Sequence, residues 1–183
     1  MKKLFVISAL LLCCCLACKK KQGDVIAEAR KTYEKVNKEQ KDLTKREVDD
    51  ISSREKGNIT GYYKDEEIKK MSVQHFGDKS RTFTEYYFED GMLVYMLRQE
   101  FVYNKPTTYT QEVATAAGDS VWYDDRKTTL QTSIYYFNDN KLIKWKAAGD
   151  KDMAVNTPEF IEKEPMLLAE ALLAMKQLKE DQK

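Results

Sequence analysis

The side chains best suited to chemistry are few, and they do not converge. The single histidine, His75, sits in Val73-Gln74-His75-Phe76-Gly77-Asp78. A general base or a metal ligand needs partners aimed at the same point, and nothing around His75 supplies them, so it reads as a surface residue near the end of a strand. All four cysteines lie at or before position 18, which leaves the rest of the chain no thiol for a disulfide, a zinc site or a nucleophile. Carboxylates are abundant, so pairs such as Glu66-Glu67 and Asp124-Asp125 carry little information. Neighbours on a strand face opposite sides, and turn chemistry accounts for both pairs. There is no glycine-rich phosphate loop and no Gly-x-Ser-x-Gly elbow. These residues imply neither cofactor nor metal, and the expectation is a protein that is not an enzyme.

The elements that would position any site are announced by a repeat. Glu85-Tyr86-Tyr87-Phe88-Glu89-Asp90-Gly91-Met92-Leu93-Val94-Tyr95-Met96 returns as Ile134-Tyr135-Tyr136-Phe137-Asn138-Asp139-Asn140-Lys141-Leu142-Ile143-Lys144-Trp145. Each copy is an aromatic run, two residues that tolerate positive φ, and a second apolar run, the pattern of a two-residue β-hairpin. A weaker relative spans Tyr62 to Ile68, and Trp122-Tyr123-Asp124-Asp125 looks like the start of a fourth. Ten of the eleven tyrosines fall between 62 and 136, among Thr, Val, Ile and Phe, as strands prefer. The pattern predicts an antiparallel meander of seven or eight strands at about 58–63, 67–76, 80–88, 92–103, 107–115, 120–124, 128–137 and 141–147.

With two-residue loops at Asp90-Gly91 and Asp139-Asn140, unbroken pairing matches 88 with 93 and 87 with 94, and 137 with 142 and 136 with 143. Parity then places Phe83, Tyr87, Val94, Met96, Ile134, Tyr136, Ile143 and Trp145 on one face, and Tyr86, Phe88, Leu93, Tyr95, Leu97, Tyr135, Phe137, Leu142 and Lys144 on the other. An antiparallel sheet with one wet face alternates apolar with polar; this one is apolar on both sides, so each face needs a cover. The first is assigned to a carboxy-terminal helix. The second calls for the amino-terminal helix, sheet curvature, or a ligand or partner, and Tyr86, Tyr95, Tyr135 and Lys144 are its candidate contact residues.

Helices are expected at both ends. Ile26, Ala29, Tyr33, Val36, Gln40 and Leu43 are spaced three and four apart, which predicts a helix over 24–46. It can pack on the domain, stand as a stalk, or zip to a partner. Residues 47–60 read as a polar break. Thr157-Pro158 is a helix start, but Pro165 argues for a short turn and then a helix over 165–180 whose apolar face lies on the sheet. The fold class is therefore α+β, one domain over 24–183.

The amino terminus reads Met1-Lys2-Lys3, an apolar run from Leu4 to Leu12, then Cys13-Cys14-Cys15-Leu16-Ala17-Cys18 and Lys19-Lys20-Lys21. This is the layout of a secretory signal, too short for a bilayer-spanning helix. Cys15-Leu16-Ala17-Cys18 resembles the lipobox of bacterial lipoprotein precursors. Cys18 matches the lipidated cysteine and Ala17 the position before the cut, while Cys15 and Leu16 depart from the usual leucine and small residue. The resemblance implies a signal peptide over 1–17, a lipidated tether over 18–23, and export to the envelope, with the outer membrane of a Gram-negative cell as the expected address, facing periplasm or surface. Removing residues 1–17 takes the formal charge from +1 to −1, a balance that gives no drive toward nucleic acid. The aromatic turns weakly resemble the tandem hairpins of YD-type and MORN-type repeats, without their even spacing. The arrangement as a whole is similar to small uncharacterised bacterial lipoproteins, a likeness that transfers no residue roles. The expected function is a non-catalytic binding or structural role in the envelope, toward a protein, peptide, lipid or glycan. A carboxylate-dependent hydrolase and a plain spacer are the alternatives.

Overall fold

The computed structural model describes residues 21–180. The lipobox-like stretch and Cys18 lie outside them. A helix α1 (Gln22–Glu39) and a 3₁₀ turn (Gln40–Asp42) lead into β1 (Thr44–Asp50), followed by β2 (Gly57–Lys64), β3 (Glu67–Phe76), β4 (Ser80–Glu89) and β5 (Met92–Val102). A short helix α2 (Gln111–Ala116) interrupts the meander before β6 (Thr129–Asn138), β7 (Lys141–Ala147) and the two-residue β8 (Lys151–Asp152), and α3 (Pro158–Glu180) closes the chain. The eight strands form one antiparallel sheet in sequential order, the β5–β6 connection returning the chain to the neighbouring position. The fold class is α+β, as the sequence implies.

Three hairpins organise one end of that sheet. Their two-residue turns, Asp65-Glu66, Asp90-Gly91 and Asp139-Asn140, all have both residues at positive φ, between 49° and 74°. That is the twist-matched turn that Asp, Asn and Gly favour. Each hairpin then carries the same defect, a β-bulge on the outgoing strand. Phe88 pairs with Leu93, but Tyr87 pairs with Tyr95 rather than Val94; Phe137 pairs with Leu142, but Tyr136 pairs with Lys144. The bulge corrects the unbroken register expected from the sequence. Two residues now oppose one, so every side chain beyond the bulge changes face.

The faces are redistributed accordingly. Tyr87, Tyr95, Tyr136, Val94, Leu97, Ile134 and Ile143 pack with Ala29, Tyr33 and Val36 of α1. Tyr86, Phe88, Leu93, Met96, Tyr135, Phe137, Leu142 and Trp145 pack with Phe160, Leu167, Ala171, Ala174 and Leu178 of α3. The sheet is thus the middle of three layers, and the face assigned to the carboxy-terminal helix is largely the one α1 covers. Tyrosine dominates the α1 side because its hydroxyl can reach the helix while the ring stays buried. The Tyr33 ring lies 5.0 Å from Tyr87 and 4.9 Å from Tyr95, and Arg30 Nε donates to the Tyr136 hydroxyl at 3.0 Å.

Four further differences have local causes. The helix expected to 46 ends at Glu39, because Thr44 to Asp50 instead pair with β2 as an edge strand. Its single apolar residue, Val48, and its charged neighbours suit an edge that must not recruit another chain. The strands expected at 107–115 and 120–124 are replaced by α2, capped by Thr110 Oγ1 accepting from Val113 N, and by irregular chain in which Lys105 pairs with Asp119 at 3.0 Å. An extra strand, β8, pairs with the end of β7. Finally, α3 starts at Pro158 and continues through Pro165. Pro165 and Ile161, four residues before it, are both exposed, so the carbonyl that loses its donor can be solvated.

Candidate functional site

The polar side chains of the α3 face collect at the end of the sheet remote from the hairpin turns. They surround a cleft of about 300 Å³ between β1 to β5 and the carboxy-terminal half of α3. Its first wall comes from β1 and the loop after it. Gly57 is a requirement here, since a Cβ on it would lie 2.4 Å from the Gln74 carbonyl oxygen and 2.6 Å from Ser53 Cβ. With that space open, Ser53 Oγ accepts from Phe76 N at 3.0 Å, and Gln177 Oε1 accepts from Ile51 N at 3.0 Å. The loop is fastened to both β3 and α3.

That fastening sets Asp50 beside His75. The Asp50 side chain is 2% exposed, and its Oδ2 lies 3.0 Å from His75 Nδ1. Its other oxygen accepts from the backbone N and the hydroxyl of Ser52. Burial pushes the Asp50 carboxyl up, but the bonds from Ser52 and His75 outweigh it and hold the group below its ordinary value. With Nδ1 engaged, Nε2 is the ring nitrogen left to meet a ligand. Ser52 bonds Asp50 rather than His75, so the three residues are not an acyl-transfer triad.

The opposite wall is Arg98 on β5, which donates to Glu170 of α3 through Nη2 and lies at 3.4 Å from Thr84 Oγ1 through Nε. Burial lowers the Arg98 pKa, but the neighbouring Glu170 and Tyr86 reverse the sign and leave it raised, so the guanidinium stays charged. Tyr86 is shifted upward by burial and remains a neutral phenol. The cleft therefore offers an Asp50 carboxylate hydrogen-bonded to His75, an Arg98–Glu170 ion pair, and the hydroxyls of Thr82 and Thr84.

The residues singled out from the sequence are not brought together. Tyr86 and Tyr135 lie under α3, whereas Tyr95 is buried under α1. Lys144, one of the bulge residues, is partly exposed and pairs with Asp152 at 3.2 Å. The bulges separate the four, and only Tyr86 borders the cleft. The α1 side has its own buried polar group, Lys70, whose side chain is 5% exposed. Its Nζ meets Glu85 at 2.6 Å, Asn37 at 3.0 Å and Gln40 at 3.1 Å, over the rings of Tyr62 and Tyr87. Those partners saturate it, and it reads as a fastening for α1. Among the described residues, no group of three or more His, Cys, Asp or Glu could hold a metal ion, and no helix is long and apolar enough to cross a membrane.

Sequence reasoning missed Asp50, Arg98 and Glu170 as site residues and left His75 on the surface. Asp50 fell in a stretch read as a break, and His75 lacks meaning until β1 is seen to pair with β2. The usable signal was the change along the strands from Met71, Phe88 and Leu93 to His75, Thr82, Thr84 and Arg98 on one face. No family model matches this chain, and neither the curated proteins nor the solved structures contain a significant match.

Proposed function

We propose that this chain is an exported, lipid-anchored envelope protein that binds a polar ligand without transforming it, and that the cleft is its binding site. The supporting observation is the concentration of the lone histidine, a buried carboxylate and a partly buried guanidinium around one opening. An open aromatic groove does not account for binding here, because α1 and α3 cover the tyrosines. A volume of about 300 Å³ is at the small end of ligand sites. An ion pair, a hydrogen-bonded His75–Asp50 pair and adjacent hydroxyls suit a polar ligand rich in donors and acceptors, the size of one sugar unit or a dipeptide. Soluble glycan and peptide fragments of the envelope are the ligands to try, with the His75 ring nitrogens followed by NMR. Binding should shift the Nε2 resonance, and His75→Ala and Arg98→Ala should each weaken affinity at least tenfold. Wild-type affinity in both variants would place binding elsewhere.

A hydrolytic reading has one observation in its favour, the hydrogen bond that fixes His75 Nδ1 and would orient the ring as a general base. It lacks an activated nucleophile, because the Ser52 hydroxyl is directed to Asp50. Turnover of the same fragments, abolished by His75→Gln, would establish it. The address rests on Cys18: metabolic labelling with a fatty acid should mark the wild type and leave Cys18→Ser unlabelled.

A further inference from the structure

The side of α3 turned away from the sheet is not the polar surface that a solvent-facing helix normally presents. Met166, Leu172 and Leu173 are 55%, 66% and 49% exposed, and Pro165 and Ala169 between them are exposed as well. At about 100° per residue these five positions form one stripe opposite Leu167, Ala171 and Leu178, with Ala169 at its centre. Glu162 extends the stripe at its amino-terminal end and Lys176 at its carboxy-terminal end, both exposed.

We propose that this stripe is a self-association surface, on which α3 of a second copy of the chain lies antiparallel about a two-fold axis through Ala169. The sequence is complementary to itself under that operation, as an isologous contact requires. Each position meets the one equally far from Ala169 on the other side. Met166 opposes Leu172, Pro165 opposes Leu173, and Ala169 opposes itself, where a small residue lets two helix backbones approach. Beyond the apolar centre, Glu162 opposes Lys176, so two ion pairs flank the contact, one at each end. A parallel arrangement would set Glu against Glu and Lys against Lys. In the single chain Lys176 reaches Glu180 at 3.6 Å, a pair with both side chains well exposed; such pairs are weak, so Lys176 is available for exchange. One helix against one helix is a small interface, and it should associate in the micromolar range rather than as a permanent dimer.

The test uses the full chain, mixed as equal parts ordinary and ¹⁵N-labelled protein, and treated with a zero-length carboxyl-to-amine cross-linker. Within one helix Glu162 and Lys176 are about 21 Å apart, so such a link can form only between copies. The expected product is a Glu162–Lys176 peptide pair carrying one light and one heavy member. By sedimentation, Glu162→Lys and Lys176→Glu should each weaken association about tenfold, and the double variant should restore it. Circular dichroism confirms folding of each, since neither site touches the core. A chain that stays monomeric through the micromolar range overturns the proposal. So does a dimer indifferent to both reversals, or one whose cross-links leave α3 out.

Discussion

Replacing Asp50 with asparagine tests whether the far end of the sheet is held by a carboxylate. The group is buried and accepts from Ser52 N at 2.9 Å, from the Ser52 hydroxyl and from His75 Nδ1 at 3.0 Å. Asparagine keeps one acceptor oxygen and turns an amide donor toward groups that are themselves donors. Hydrogen bonds to a charged group contribute about 1.5 to 3 kcal/mol each, partly offset by the relieved cost of burying the charge, so a net loss of about 2 to 3 kcal/mol is expected at pH 7. The sign of the pH dependence follows from the depressed folded-state pKa. Such a carboxylate contributes fully above its unfolded value, near pH 4, and the contribution is lost as pH falls through the folded value. Urea denaturation of wild type and Asp50→Asn at pH 7, 5, 4 and 3 should therefore show a penalty that is present at pH 7 and shrinks below about 4. A penalty that is equally large at pH 3, or below 0.5 kcal/mol at pH 7, would refute the reasoning.

Three further changes probe the layers. Met96→Ala, at a side chain fully buried under α3 only because of the bulge, should cost about 2 to 5 kcal/mol in a denaturation experiment, whereas a surface position would cost almost nothing. Lys70→Ala should cost about 3 kcal/mol by leaving Glu85, Asn37 and Gln40 around an empty site, and Lys70→Met distinctly less because it refills the volume; equal losses would show that the charge rather than the space matters. Gly91→Ala, at φ 74°, should lower stability by about 1 kcal/mol with the fold unchanged by circular dichroism.

The hairpins were legible because positive φ restricts which residues can occupy a turn, and Asp90-Gly91 and Asp139-Asn140 carry that restriction in their names. Asp65-Glu66 shows its limit, since Glu66 takes φ 67° with no sequence preference to announce it. The bulges had no comparable mark. Val94-Tyr95 and Ile143-Lys144 are ordinary strand pairs, and only the needs of two opposing helices reveal that both members face one way. That single omission grouped Tyr95 with Tyr86 and Met96 with Tyr87, which the structure separates, and dissolved the expected contact surface. β1 was missed because an edge strand guarded by charge resembles a loop. The helix break expected at Pro165 neglected where the orphaned carbonyl points. His75 illustrates the remaining gap: its partner arrives through a strand pairing whose energy is spread over seven residue pairs, none of them diagnostic alone.

The arrangement of α1 across the sheet gives the molecule a heading. Gln22 bonds the Ile143 carbonyl, Thr32 bonds Glu89, and Glu39 reaches Lys64, so the helix crosses beside all three tight turns. The Asp50–His75 pair lies at the other extremity, about 25 Å along β3 from its turn. Under the proposed attachment through Cys18, the chain would enter the domain on the side of the turns, with the opening at the far end. The long excursion between β5 and β6 leaves the sheet from that same extremity, the end remote from the three tight turns.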